Sequence, residues 1–148
     1  MFSEKEKAVL EEARTILARK LNNNPVFSSP ADVRLYLQAA LAPRDQEVFA
    51  VMFLNNRSQL IRYVEMFFGT IDAASVYPRE VAKAALELNA ASVIFAHNHP
   101  SGVAEPSIAD QKITSTLVKC LAYFDVRVLD HMIVGHDSVT SFAERGLL

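Results

Sequence analysis

A single cysteine, Cys120, leaves the 148-residue chain with nothing to pair it with internally. An internal disulfide is therefore excluded, and a reducing compartment, the cytoplasm, is the expected setting. Cys120 falls in the apolar pattern of a helix and reads as a small core residue, not a reactive thiol. Long hydrophobic runs are missing too. No stretch approaches the roughly 18 apolar residues that span a bilayer, and Met1-Phe2-Ser3-Glu4-Lys5-Glu6-Lys7 lacks the apolar centre of a secretory signal. No membrane partner is expected. There is no internal repeat and no low-complexity segment. A net charge of −2 supplies no bulk attraction for nucleic acid, although a local basic patch stays open. What is present is 51% hydrophobic residues in a length that suits one compact domain.

Ser3 with Glu6 forms a capping box for a first helix reaching about Leu21, with Val9, Leu10, Ala13, Ile16, Leu17 and Leu21 at helical spacing. Asn22-Asn23-Asn24-Pro25 breaks the chain, and Ser29 with Pro30 opens a second helix ending near Leu41. Residues 1–42 are expected as a helical extension and 43–148 as the main domain. Glu47 to Leu54 reads as a strand, Asn55-Asn56-Arg57-Ser58 as a turn, and Gln59 to Phe68 as the returning strand of a hairpin. Gly69 closes it, and a loop containing Ser75 and Val76 leads on. Pro78 opens a helix to about Leu88, stopped by Asn89. The strand Ala91–Ala96 follows, then a helix capped by Ser107, the strand Arg127–Val134, a turn at Gly135-His136-Asp137-Ser138 and a short last strand. This order implies an α/β (α+β) fold, a mixed sheet flanked by helices.

The chemistry concentrates in His97-Asn98-His99-Pro100-Ser101-Gly102 and Ser107-Ile108-Ala109-Asp110. Histidines spaced i, i+2 at the end of a buried strand point to one face. Asp110 returns a short loop later, in the first turn of a helix, where a carboxylate is also expected for capping alone. Two histidines and one aspartate are the ligand count of a catalytic zinc site with its fourth position open, whereas structural zinc is usually closed by four protein ligands. His97, His99 and Asp110 are the candidate ligands. His131, in the strand after Asp130, reads as a buried structural histidine or as a group that orients a ligand. His136 sits in a polar turn. Arg79 fits a substrate contact or a surface ion pair equally.

His97-Asn98-His99, then seven residues, Ser107, two residues and Asp110 resembles the JAMM (JAB, MPN+) metalloprotease signature. Gly69-Thr70, Pro78-Arg79-Glu80-Val81, His97 to Gly102, Pro106-Ser107, Asp110, Leu129-Asp130-His131 and Ser141-Phe142 together resemble the RadC family, over roughly residues 45–148. The resemblance implies a JAB/MPN (cytidine-deaminase-like) three-layer core, Zn2+ on His97, His99 and Asp110, and Ser107 beside the tetrahedral oxygen. It also implies an upstream glutamate as general base. Glu65, flanked by Val64 and Met66 in the second strand, is the expected base, with Glu80 as its rival. A one-residue register slip would turn Glu65 to the opposite face.

The expected function is thus a zinc hydrolase cutting a peptide or isopeptide bond in an unidentified protein or peptide substrate. A DNA-repair association comes with the family resemblance. The alternative is an accessory of DNA metabolism, with repair or replication partners, in which the zinc is structural or vestigial. A metal-dependent nuclease ranks last, since the site offers one evident metal and not a carboxylate-rich pair.

Overall fold

The computed structural model describes residues 1–69 and 75–148. Thr70 of the family motif, and the start of the loop after Gly69, lie outside the described residues. Helix α1 (Glu4–Asn23) begins at the expected capping box, with Ser3 and Glu6 satisfying each other's backbone donors. Helix α2 (Pro30–Leu41) has Pro30 in its first turn, but the Ser29 side chain makes no capping bond. Ser29 closes a short 3₁₀ turn over Val26–Ser28, and its φ of −141° and ψ of 58° place its hydroxyl away from the helix donors.

The strands β1 (Val48–Leu54), β2 (Leu60–Phe68), β3 (Ser92–Asn98), β4 (Arg127–Val134) and β5 (Val139–Ser141) form one sheet in the order β2-β1-β3-β4-β5. β1 is apolar on both faces and buried throughout, as a strand covered from both sides must be. It pairs antiparallel with β2 and with β3. β3 and β4 run parallel, joined through α4 (Ile108–Ala122), and β5 returns antiparallel. Helix α3 (Pro78–Glu87) precedes β3. Asn89 ends its final turn with φ +53°, and the Ala90 N–H bonds the Ala85 carbonyl in the usual left-handed stop.

Alternation along the strands divides the core. One face carries Val48, Met52, Leu54, Ile94, Ala96 and Met132 against Leu21, Tyr36, Leu37 and Leu41 of α1 and α2. The other carries Phe49, Val51, Phe53, Val93 and Phe95 against Val81 and Ala85 of α3 and Leu117 and Leu121 of α4. The result is three layers with a mixed sheet in the middle. Fully buried Phe53 and Phe95 each contribute roughly 1.5–3 kcal/mol by leaving water. No helix among the described residues is long and apolar enough to cross a membrane.

Candidate metal centre

The carboxyl end of β3 and the N-terminus of α4 meet at one edge of the sheet, the place where parallel strand–helix units leave room for ligands. β3 runs two residues beyond the expected Ala96, so His97 lies within the ladder and His99 just past it. The His99 N–H continues the ladder to the Val134 carbonyl. The rings share a face as their spacing requires, with His97 Nε2 3.0 Å from His99 Nε2. The His99 Nδ1–H donates to the Val103 carbonyl at 2.9 Å, which leaves Nε2 as the atom facing the site.

Asp110 reaches both rings. Its Oδ1 lies 3.2 Å from His97 Nε2 and its Oδ2 3.2 Å from His99 Nε2. The capping role and the site role coexist. The Ser107 N–H donates to Asp110 Oδ2 at 2.8 Å, and the Asp110 N–H donates to Ser107 Oγ at 3.0 Å. The capping box therefore fixes the Asp110 rotamer while its remaining lone pairs face the histidines. Ser107 stands at the rim of the site with its oxygen engaged as the cap.

The loop between the histidines and Asp110 is pinned. Gly102 turns with φ +90°, and its carbonyl accepts from the His136 N–H at 3.0 Å. A Cβ at Gly135 would strike that carbonyl, so the β4–β5 turn can approach only through glycine. His136 itself is exposed, as a polar turn predicts.

Glu65 is not brought to the histidines. Phe49 pairs with Phe67 and Ala50 with Glu65, so Met66 is an extra residue in a bulge. That register sets Glu65 opposite Ala50, on the face of α1 and α2. There its Oε1 binds Arg44 at 2.6 Å and its Oε2 accepts from the Tyr63 hydroxyl at 3.0 Å. The expectation that Glu65 faces the metal ligands is corrected on this geometry. Glu80 lies in the first turn of α3, half-exposed, with Arg79 4.0 Å away.

The glutamate that reaches the histidines is Glu47. One of its carboxylate oxygens and nitrogens of His97 and His99 all lie within 4.8 Å of one another, a group close enough to hold a metal ion. Glu47 precedes β1, and Phe49 pairs with His97, so the antiparallel register carries the start of β1 to the end of β3. Asn98, between the histidines, fixes this entry. Its Oδ1 accepts from the Val48 N–H at 2.8 Å, and its Nδ2 donates to the Gln46 carbonyl at 3.0 Å. The flanking peptides of Glu47 are thus held by the residue between the two histidines. A cleft of about 30 Å³ is lined by Glu47, Phe49, Val76, His97, Asp110, Ile113 and His131, room for roughly a water or two.

Burial alone would raise the Asp110 carboxyl, but the His97 and His99 rings 3.2 Å from its oxygens outweigh it and hold the group well below the carboxylate range. His99 is raised in turn, chiefly by Asp110. A depressed carboxylate stabilises the fold above its unfolded value of 3.8, and that contribution is lost as pH falls. The raised His99 has the opposite sign, present below 6.5 and lost as pH rises through its folded value. The metal-free protein should therefore lose thermal stability below about pH 4, and Asp110→Asn should flatten that acid limb. An unchanged limb would show that the histidines do not hold the carboxylate.

The family model described as the RadC-like JAB domain matches residues 27–147. A UPF0758 protein of Methylibium petroleiphilum is 60% identical over 141 residues, 95% of this chain and 64% of its own length. UPF0758 proteins of Leptothrix cholodnii and Aeromonas hydrophila are 59% and 52% identical over the same span, covering 64% and 63% of their lengths. The chain thus spans a little under two thirds of these curated relatives.

Proposed function

The chain belongs to the RadC-like JAB domain family, and from that premise we propose that it is a zinc-dependent hydrolase of the JAMM type, cutting peptide or isopeptide bonds. The observation that carries this reading is the convergence of His97 Nε2, His99 Nε2 and both Asp110 oxygens, with Glu47 beside them. Lone pairs aimed at one another require a positive charge between them: a proton on His99, or a cation. The separations of 3.0, 3.2 and 3.2 Å approach the edge of a tetrahedron with metal–ligand bonds of about 2.0–2.1 Å, which is about 3.3 Å. Two imidazoles and one carboxylate suit zinc with an open position.

His97, His99 and Asp110 would hold the zinc, whose Lewis acidity would acidify a bound water and polarise a carbonyl. Glu47 takes the proton from the attacking water and returns it to the leaving amine. Asn98 keeps that carboxylate at the mouth of the cleft by gripping the peptides on either side of it. The Ser107 oxygen accepts the Asp110 N–H, and its hydroxyl hydrogen supports the developing oxyanion. The substrate on this reading is a protein or peptide.

Glu47→Gln should retain stoichiometric zinc and lose about 10²–10⁴-fold in hydrolysis of fluorogenic peptides or isopeptides, whereas Glu65→Gln should leave the rate near wild type. An active Glu47→Gln variant would place the base elsewhere. Zinc bound without hydrolysis by the wild-type protein across the panel would favour a structural metal and the DNA-metabolism reading.

A further inference from the structure

We propose that Thr114 and His131 are positioning residues that hold His97 in the one tautomer able to bind a cation. The proposal rests on His97 being a metal ligand, as in the hydrolase reading. Thr114 has one hydroxyl hydrogen and two polar neighbours. The Asp110 carbonyl, 2.6 Å away, can only accept, so the hydrogen goes there. The Thr114 oxygen must then accept from His131 Nδ1–H, also at 2.6 Å.

His131 is fully buried, edge-on to Phe49 and Phe95 and stacked on Phe142 at 4.7 Å, surroundings that favour the uncharged ring. A neutral ring protonated at Nδ1 presents a lone pair at Nε2. That atom lies 2.8 Å from His97 Nδ1, which must therefore carry the donated hydrogen. His97 Nε2 is left as a lone pair beside His99 and Asp110. The chain of bonds starts at the Asp110 backbone and ends at the Asp110 carboxylate. One turn of α4 supplies a ligand and sets the protonation of another.

Thr114→Val deletes the acceptor with little change of shape. His131 Nδ1–H would then face apolar surroundings, and the favourable response is a switch to Nε2–H. That hydrogen points at His97 Nδ1 and drives His97 to Nε2–H, placing a proton on the ligand atom. Zinc affinity measured against a competing chelator should fall about 10–100-fold in Thr114→Val and stay close to wild type in Thr114→Ser. Histidine ring proton–nitrogen correlations of the metal-free protein at about pH 8, above the ordinary histidine range, should show Nδ1–H on His97 and His131. In Thr114→Val both should read Nε2–H.

A Thr114→Val protein that binds zinc as tightly as wild type overturns the proposal, and so does weakened binding with the tautomers unchanged. Should Thr114→Val not fold, the wild-type spectrum decides alone: Nε2–H on His97 is fatal to it. A wild type that binds no zinc would overturn the hydrolase reading, whereas the tautomers of the metal-free protein are read independently of it.

Discussion

Asp110→Ala should emerge from purification without stoichiometric zinc, and its affinity should fall by more than the roughly 10–100-fold that outer partners of a metal ligand are worth. Both Asp110 oxygens lie 3.2 Å from a histidine Nε2, so a single carboxylate charge faces both rings. Removing it takes away one of the three donors of the proposed site and leaves the two imidazoles with Glu47, a set that should hold zinc less tightly. The same substitution breaks the capping box with Ser107, so about 0.3–1 kcal/mol of helix stability goes with it. Asp110→Asn separates the two losses. The amide oxygen can still accept the Ser107 N–H, so the cap survives, while the charge that binds the cation is gone. His97→Ala should match Asp110→Ala in metal analysis, without the loss of the cap. Full zinc in either alanine variant would overturn the ligand assignment.

The parts of this centre that sequence made legible are the local ones. His97 and His99 fall on one face because strand side chains alternate, and Asp110 falls in a first helical turn because Ser107 caps it. Neither inference needs to know what lies across the sheet. The α/β architecture followed for the same reason: the apolar run of β1, the capping box of α1 and the Asn89 stop are readable from neighbours in the chain. Even His131 was visible as an unusual histidine in an apolar strand.

The glutamate was different, because its position depends on pairing between distant segments. Glu65 lies in a strand whose parity is set by the bulge at Met66 and by the pairing of Ala50 with Glu65. Alternation alone cannot say which face is the site. Glu47 carried a weaker local signal, a charge abutting the apolar run of β1. What makes it a site residue is the antiparallel register of β1 on β3, with Phe49 opposite His97. Thr114 looks like any inward-facing threonine of α4 until β4 sets His131 against it. Register turns such residues into a centre, and register is a long-range property that one sequence does not display.

Asp130→Ala should destabilise the protein by about 3–4 kcal/mol, because it strands three donors at once. Asp130 Oδ1 accepts from the His131 N–H at 2.7 Å and the Ala143 N–H at 3.0 Å, and its Oδ2 accepts from the Ser141 hydroxyl at 2.5 Å. Ser141 in turn accepts the Glu144 N–H at 3.1 Å, so the carboxylate anchors the whole turn that follows β5. That turn delivers Phe142, fully buried, onto the His131 ring. At roughly 2–4 °C per kcal/mol for a chain of this size, the melting temperature should drop by about 6–16 °C. Asp130→Asn keeps an acceptor for the two backbone donors and should cost nearer 1 kcal/mol, the net value of a single bond. Because Phe142 packs against the histidine that aligns His97, the alanine variant should also bind zinc less tightly, while Asp130→Asn should not. Urea unfolding and chelator competition on the same samples check both. An Asp130→Ala midpoint indistinguishable from wild type would show that β5 and the terminal turn are held by packing alone, and that Asp130 plays no part in presenting His131 to the site.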